Sequence, residues 1–227
     1  MSKNLFIAGT GTNIGKTYVT GLIIKKLHES GKNAAYFKAA MSGNDYDFSN
    51  QLIPGDALYV KTVSGINQPL AEMCPYVYEH AYSPHLAAHI EGNPIEMHMI
   101  KKQFQHVCER YEYVTMEGVG GIICPLRFDE KKIWQEDVIR ELGLSCILVA
   151  GAGLGAINAV GTTVAYMKAK GILIKGIIFN LFDPEDVMEE DNLKMCELMT
   201  GLPILSCVKC GDKELDMDVT ILKSLYK

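Results

Sequence analysis

The strongest constraint on the fold is an alternation along the chain. Residues 5–8, 34–37, 113–116, 146–150, 174–179 and 204–208 are short, apolar and nearly free of charge, and each is bounded by glycine or polar residues. Runs this short and uniform suit strands covered on both faces, as in a parallel sheet. Residues 73–78 are a weaker seventh candidate. Residues 16–30, 94–110, 133–142, 158–170 and 186–200 read as helices, and four of these segments stop at Gly31, Gly143, Gly171 or Gly201. Glycine there accommodates the left-handed turn that ends a helix. Strands alternating with crossover helices imply an α/β fold: a mainly parallel sheet of about seven strands with helices on both faces. Within 227 residues no repeat, low-complexity segment or linker interrupts the alternation, so a single domain over residues 1–227 is expected.

Residues 142–167 carry no charge, a length that would suffice for a membrane helix. Gly143, Ser145, Gly151, Gly153, Gly155, Asn158 and Gly161 break the stretch, which fits a buried strand, a turn and a helix better. The apolar run before Gly9 is too short for a signal peptide, so a cytoplasmic protein is expected. With 22 basic and 27 acidic residues the net charge is −5, and no basic run exceeds a pair. That balance argues against nucleic acid and anionic membranes as partners. An odd set of 7 cysteines in a reducing compartment predicts no disulfide framework. Cys207 and Cys210 have CxxC spacing, and His85 and His89 lie four apart, but neither pair brings further ligands, so structural roles are favoured over metal binding.

The glycine-rich segment running from Gly9 through Gly11, Asn13, Ile14 and Gly15 to Lys16 and Thr17 follows the first strand and opens the first helix. Such a turn aims backbone N–H groups at an anion, a lysine adds positive charge, and a threonine hydroxyl can reach magnesium. This is the plan of a P-loop for a nucleoside triphosphate, with five residues between the flanking glycines instead of four. Magnesium calls for oxygen ligands. Glu117 ends an apolar strand and precedes Gly118, Val119, Gly120 and Gly121, which leave room for a ligand. Asp56 stands before a helix-like run, where metal binding and helix capping are equally open. Lys38 ends the second strand and either points into the crevice beside Lys16, where it could neutralise a developing anion, or is a solvated strand-end lysine.

These segments resemble the dethiobiotin synthetase family in order and spacing over most of the chain. The glycine turn has that family's own spacing, followed by residues 36–43 with Lys38 and Ser42, residues 55–57 with Asp56, residues 83–88, Glu117 to Gly121, residues 153–158, Asn180 and residues 200–203. The resemblance implies an ATP-dependent cyclo-ligase that forms the ureido ring of dethiobiotin from 7,8-diaminopelargonate, CO2 and ATP, with Mg2+ as cofactor. It would place Asn13, Ile14, Gly15, Lys16, Thr17 and Tyr18 at the phosphates, Gly118, Val119 and Gly120 beside them, and Asn180 with Leu181 at the adenine. Thr17, Asp56 and Glu117 would arrange the metal, while Lys38 and Lys16 would be catalytic. Ser42 and Lys38 would contact the substrate. Leu154, Gly155 and Asn158 would receive the substrate carboxylate of the neighbouring subunit in a homodimer, although a plain strand-to-helix loop explains those three residues equally well. Gly11 stands where the family usually has aspartate, and the segment after Pro203 departs from the family pattern. Other ATPases of the same fold group, cobyrinate amidase-like or ParA-type, and a non-catalytic nucleotide-binding regulator are the competing readings.

Overall fold

The computed structural model describes residues 2–227. Strand β1 (Lys3–Gly9) leads through the glycine turn into α1 (Lys16–Glu29), and β2 (Ala34–Lys38) is followed by the short β3 (Ala40–Met41). Next come α2 (Gly55–Ser64), α3 (Leu70–Met73), β4 (Tyr76–Val77), α4 (Pro84–Ile90) and α5 (Met97–Arg110), which returns the chain to β5 (Tyr113–Glu117). A hairpin of β6 (Pro125–Phe128) and β7 (Lys132–Trp134) precedes α6 (Gln135–Glu141). The remainder alternates regularly: β8 (Cys146–Gly151), α7 (Ala156–Ala169), β9 (Ile174–Asn180), α8 (Val187–Thr200), β10 (Ile204–Val208) and α9 (Val219–Leu225).

The six apolar runs form one parallel sheet in the order β10-β9-β8-β1-β5-β2. Residues 73–78 do not join it. Tyr76 and Val77 instead pair with Ala40 and Met41 in a separate two-stranded parallel ribbon. Two helix starts also differ from expectation. Ile133 belongs to β7, and the helix begins after Trp134, whose N–H is held by Asp137 Oδ2 at 2.8 Å. The segment from residue 94 becomes helical only at Met97. The uncharged stretch resolves into β8 and α7, and among the described residues no helix is long and apolar enough to cross a membrane.

Alternation along each strand divides the core between the two faces of the sheet. Phe6, Ala8, Val114, Met116, Leu148 and Phe179 pack on one face. Leu5, Ile7, Tyr36, Ile147, Val149 and Ile178 pack on the other, under α1. Successive side chains in a strand point to opposite faces, which is why these runs must be apolar throughout. The chain moves outward from β1 to β2, returns to β5 between them, and then crosses β1 to reach β8. The loops after β1 and β5 therefore diverge at a switch in strand order, where open α/β sheets form their ligand crevice.

Candidate active site

Phosphate-binding character originates in the turn between β1 and α1. Asn13 (φ 60°) and Gly15 (φ 82°) are both in the left-handed region, which curls the backbone N–H groups into a concave anion-binding nest. No side chain caps α1 and no acidic residue of its own lies in its first turn, so its N-terminal amides are left for a ligand. The Lys16 ammonium donates to the Gly11 carbonyl at 2.7 Å. Burial first, and then the like charge of Lys38, bring its pKa down to about 8.

Strand register assembles the charged centre. Lys38 lies opposite Glu117 in the β2–β5 pairing, at the carboxyl ends of both strands. Its Nζ donates to Glu117 Oε1 at 2.7 Å and to Asp56 Oδ2 at 2.6 Å. Burial alone would push the Lys38 ammonium down, yet Glu117 and Asp56 together hold it above the ordinary lysine value. Glu117 is 1% exposed, and Oε1 also accepts the Thr17 hydroxyl at 2.8 Å. The Tyr36 hydroxyl donates to Glu117 Oε2 at 3.0 Å; burial, then the Glu117 charge, raises this phenol well above the usual tyrosine value, so it stays a donor.

Of the two readings of Lys38, the solvated strand end is excluded, because the residue is 5% exposed. Asp56 is not a helix cap: Pro54 occupies the cap position, and the Asp56 carboxylate, in the first turn of α2, is committed to Lys38.

A cavity of about 470 Å³ brings Asn13, Gly15, Lys16, Thr17, Lys38, Ser42, Asp56, Glu117, Val119 and Gly120 together. A neighbouring cavity of about 660 Å³ shares Asn13, Ser42, Val119 and Gly120 with it and extends toward Tyr82, Pro84 and Cys124. Ser42 Oγ donates to the Tyr82 carbonyl at 2.6 Å on this side. Thr12 lines both cavities, a residue that sequence reasoning passed over although it sits inside the glycine turn. Gln135 was also passed over. It accepts the Val119 N–H through Oε1 and donates to the Gly121 carbonyl at 3.1 Å, pinning the loop after Glu117. Nothing in the sequence separates it from other residues at a helix start. Gly118 lies behind that loop, where an added Cβ would fall 2.9 Å from both Phe6 and Gln135.

Asn180 ends β9 and reaches the glycine turn from behind. Its Nδ2 donates to the Ile14 carbonyl at 3.0 Å, and its buried Oδ1 has no partner. Leu181 follows it with φ 59° and is 54% exposed. Tyr18 turns away from the cavity and donates to the Asp212 carbonyl, tying α1 to the segment after β10. Leu154, Gly155 and Asn158 line neither cavity. Leu154 is 93% exposed, and Gly155, with φ 89°, begins α7 without a side-chain cap or an acidic first turn.

Cys207 packs against the Phe179 side of the sheet, whereas Cys210 is exposed in the turn beyond. His85 and His89 share a separate groove of about 160 Å³ with Arg127 and Asp129. Among the described residues no group of three or more His, Cys, Asp or Glu side chains is arranged to hold a metal.

A parallel sheet whose first strand feeds a glycine turn and a helix headed by lysine and threonine defines a P-loop nucleotide-binding protein. A family model described as an AAA domain matches residues 3–213, and the chain belongs to that family. Solved structures agree at the level of fold: the MinC:MinD cell division protein complex of Aquifex aeolicus (TM-score 0.56, 12% identity, 98% of this chain and 85% of that one) and a ParA family ATPase of Chlorobium tepidum (TM-score 0.53, 14% identity, 93% and 85%). Sequence similarity is narrower. The ATP-dependent dethiobiotin synthetase BioD of Brachyspira hyodysenteriae is 45% identical over 217 residues, covering 95% of this chain and 96% of that protein. That of Clostridium novyi is 46% identical over 209 residues, covering 92% and 87%. The chain belongs to the ATP-dependent dethiobiotin synthetase family.

Proposed function

We propose that this protein forms dethiobiotin from 7,8-diaminopelargonate, CO2 and ATP, releasing ADP and phosphate, as one catalytic unit spanning the chain. The observation that carries the reading is the convergence of Lys16, Lys38, Ser42, Asp56 and Glu117 on one cavity beside the glycine turn. A regulator that only senses nucleotide has no use for a buried lysine between two carboxylates, and no such use is evident in a partitioning ATPase.

Amine and CO2 form a carbamate, a carbamate oxygen takes the γ-phosphoryl group of ATP, and the second amine then attacks the carbamate carbon and expels phosphate. Negative charge builds on the carbamate and transferring phosphoryl oxygens throughout. Lys38, fixed by two carboxylates, stays cationic for this purpose, and Lys16 supplies the second charge at the phosphates. Phosphoryl transfer needs positioning and charge neutralisation and no protein nucleophile. Thr17, Asp56 and Glu117 offer the hard oxygen donors that Mg2+ prefers, so the donor chemistry fits the ion. Bound there, it would neutralise phosphate oxygens as charge shifts to the leaving ADP.

Asn180 supports adenine as the base. With Nδ2 committed to Ile14, the free Oδ1 is an acceptor suited to an exocyclic amine and mismatched to the carbonyl that guanine presents. In the decisive assay, phosphate release depends on diaminopelargonate and is faster with ATP than with GTP. Turnover indifferent to the diamine would reject the reading.

The homodimer expected of this family would add a receptor for the substrate carboxylate from the neighbouring subunit. The uncapped start of α7 beside exposed Leu154 has the free amides for it. Mixing Lys38→Ala protein with a variant altered over residues 154–158 should restore part of the activity through mixed dimers. No recovery after demonstrated subunit exchange would reject shared sites.

Lys16 gives a pH prediction. Its pKa in the folded protein, about 8, lies below the free-lysine value, so the cost of burying the ammonium is fully present below pH 8 and is relieved progressively as pH rises from 8 toward the free-lysine value. Phosphates restore a counter-charge and raise that pKa. ATP binding at pH 8 should therefore take up about half a proton, and affinity should fall as pH rises further. Calorimetry in buffers of different ionisation enthalpy reads the uptake, and none at pH 8–9 would contradict the assignment.

A further inference from the structure

We propose that Tyr36 is a positioning residue of this active site, its phenol fixing the rotation of the Glu117 carboxylate so that one oxygen is held in the core and the other faces Thr17 and Lys38. The inference deepens the magnesium reading of Glu117 and rests on it.

Tyr36 stands two residues before Lys38 in β2 and so projects from the same face of the sheet. Lys38 is opposite Glu117 and Tyr36 opposite Thr115, which lets the long phenol reach diagonally to the carboxylate. The two oxygens have different partners: Oε2 takes the Tyr36 hydroxyl at 3.0 Å, whereas Oε1 takes Thr17 at 2.8 Å and Lys38 at 2.7 Å. A carboxylate held from both ends has one orientation. Both side chains are buried, Tyr36 fully, so water does not substitute for the phenol.

The backbone of Tyr36 is held as well. β2 is the outer strand of the sheet, and its open edge at this residue is closed by the buried Gln68. Gln68 Oε1 accepts the Tyr36 N–H at 2.8 Å, and Nε2 donates to the Tyr36 carbonyl at 3.0 Å. A side-chain amide thus stands in for a neighbouring strand at the residue whose phenol holds Glu117 Oε2. Phenylalanine would fill the same space and leave Oε2 buried without a donor.

Tyr36→Phe removes one oxygen atom and keeps the ring. ATP binding by calorimetry, without magnesium and across a magnesium titration, is compared with the wild type beside thermal melts. The expected result is unchanged magnesium-free ATP affinity, with the magnesium midpoint raised about 10- to 100-fold, the range typical of losing a group that orients a metal ligand. Gln68→Leu, which frees the Tyr36 backbone without touching the phenol, should move the midpoint in the same direction. A packing tyrosine would lower the melting temperature and leave both midpoints in place, and that result overturns the proposal. A wild type whose ATP binding ignores magnesium would instead defeat the reading of Glu117 itself.

Discussion

Lys38→Ala should slow dethiobiotin formation by about 10²- to 10³-fold, a loss of roughly 3–4 kcal/mol of transition-state stabilisation. Two effects add. Lys38 lines the cavity together with Lys16 and Ser42, and in the proposed reaction it would neutralise the carbamate and phosphoryl oxygens. It is also the only ion-pair partner of the buried Glu117 among the described residues, and removing one partner of a buried pair leaves the other charge uncompensated. The variant should therefore also melt at a lower temperature. Lys38→Arg retains charge but carries a wider, planar head into a space 2.6–2.7 Å from two carboxylates, and is expected to recover stability better than rate. Wild-type turnover by Lys38→Ala would remove this residue from the mechanism.

The second large effect is expected at Gly15. Its φ of 82° is strained for any residue with a Cβ, and a Cβ built there would fall 2.0 Å from Asn180 Nδ2. Gly15→Ala must therefore either leave the left-handed conformation or displace Asn180 from the Ile14 carbonyl. The left-handed cost of about 1–2 kcal/mol and the lost hydrogen bond of about 1 kcal/mol predict ATP binding roughly 30- to 150-fold weaker. Gly11→Ala in the same turn is the control, because its Cβ would meet nothing nearer than Ile14 Cγ2 at 4.0 Å, and no left-handed φ is involved. Calorimetric titration of both variants with ATP decides the matter. Equal affinities would show that the turn tolerates a side chain where the geometry forbids one.

The six sheet strands were legible because being buried on both faces forces a short, uncharged run, a pattern that no exposed segment needs to imitate. The pairs β3–β4 and β6–β7 were not, since strands of two to four residues are shorter than any periodicity that could reveal them. Met73, at the end of α3, packs in the core under α1, so apolarity alone suggested a strand through 73–78 where only Tyr76 and Val77 form one. In the site, the glycine turn was readable because its chemistry is local, with all parts within one turn and the first helical residues. The union of Lys38 with Glu117 was not, because it depends on β5 inserting between β1 and β2 and on the register of that insertion. The same holds for Asn180, whose contact with Ile14 spans 166 residues, and for Asp56, whose spacing fitted a helix cap as well as a charged partner. Tyr36 lay two residues from Lys38, and period-two spacing places them on one face, but only the strand order shows which carboxylate they share.

In the proposed reaction this cavity closes a ureido ring at the expense of ATP. The most direct test of this is to incubate the purified protein with ATP, magnesium, 7,8-diaminopelargonate and carbon-13-labelled bicarbonate and to weigh the product. Dethiobiotin carrying a single labelled carbon, formed in step with ADP, is the expected product. ATP hydrolysis that proceeds without the diamine, and a diamine recovered unlabelled, would contradict it.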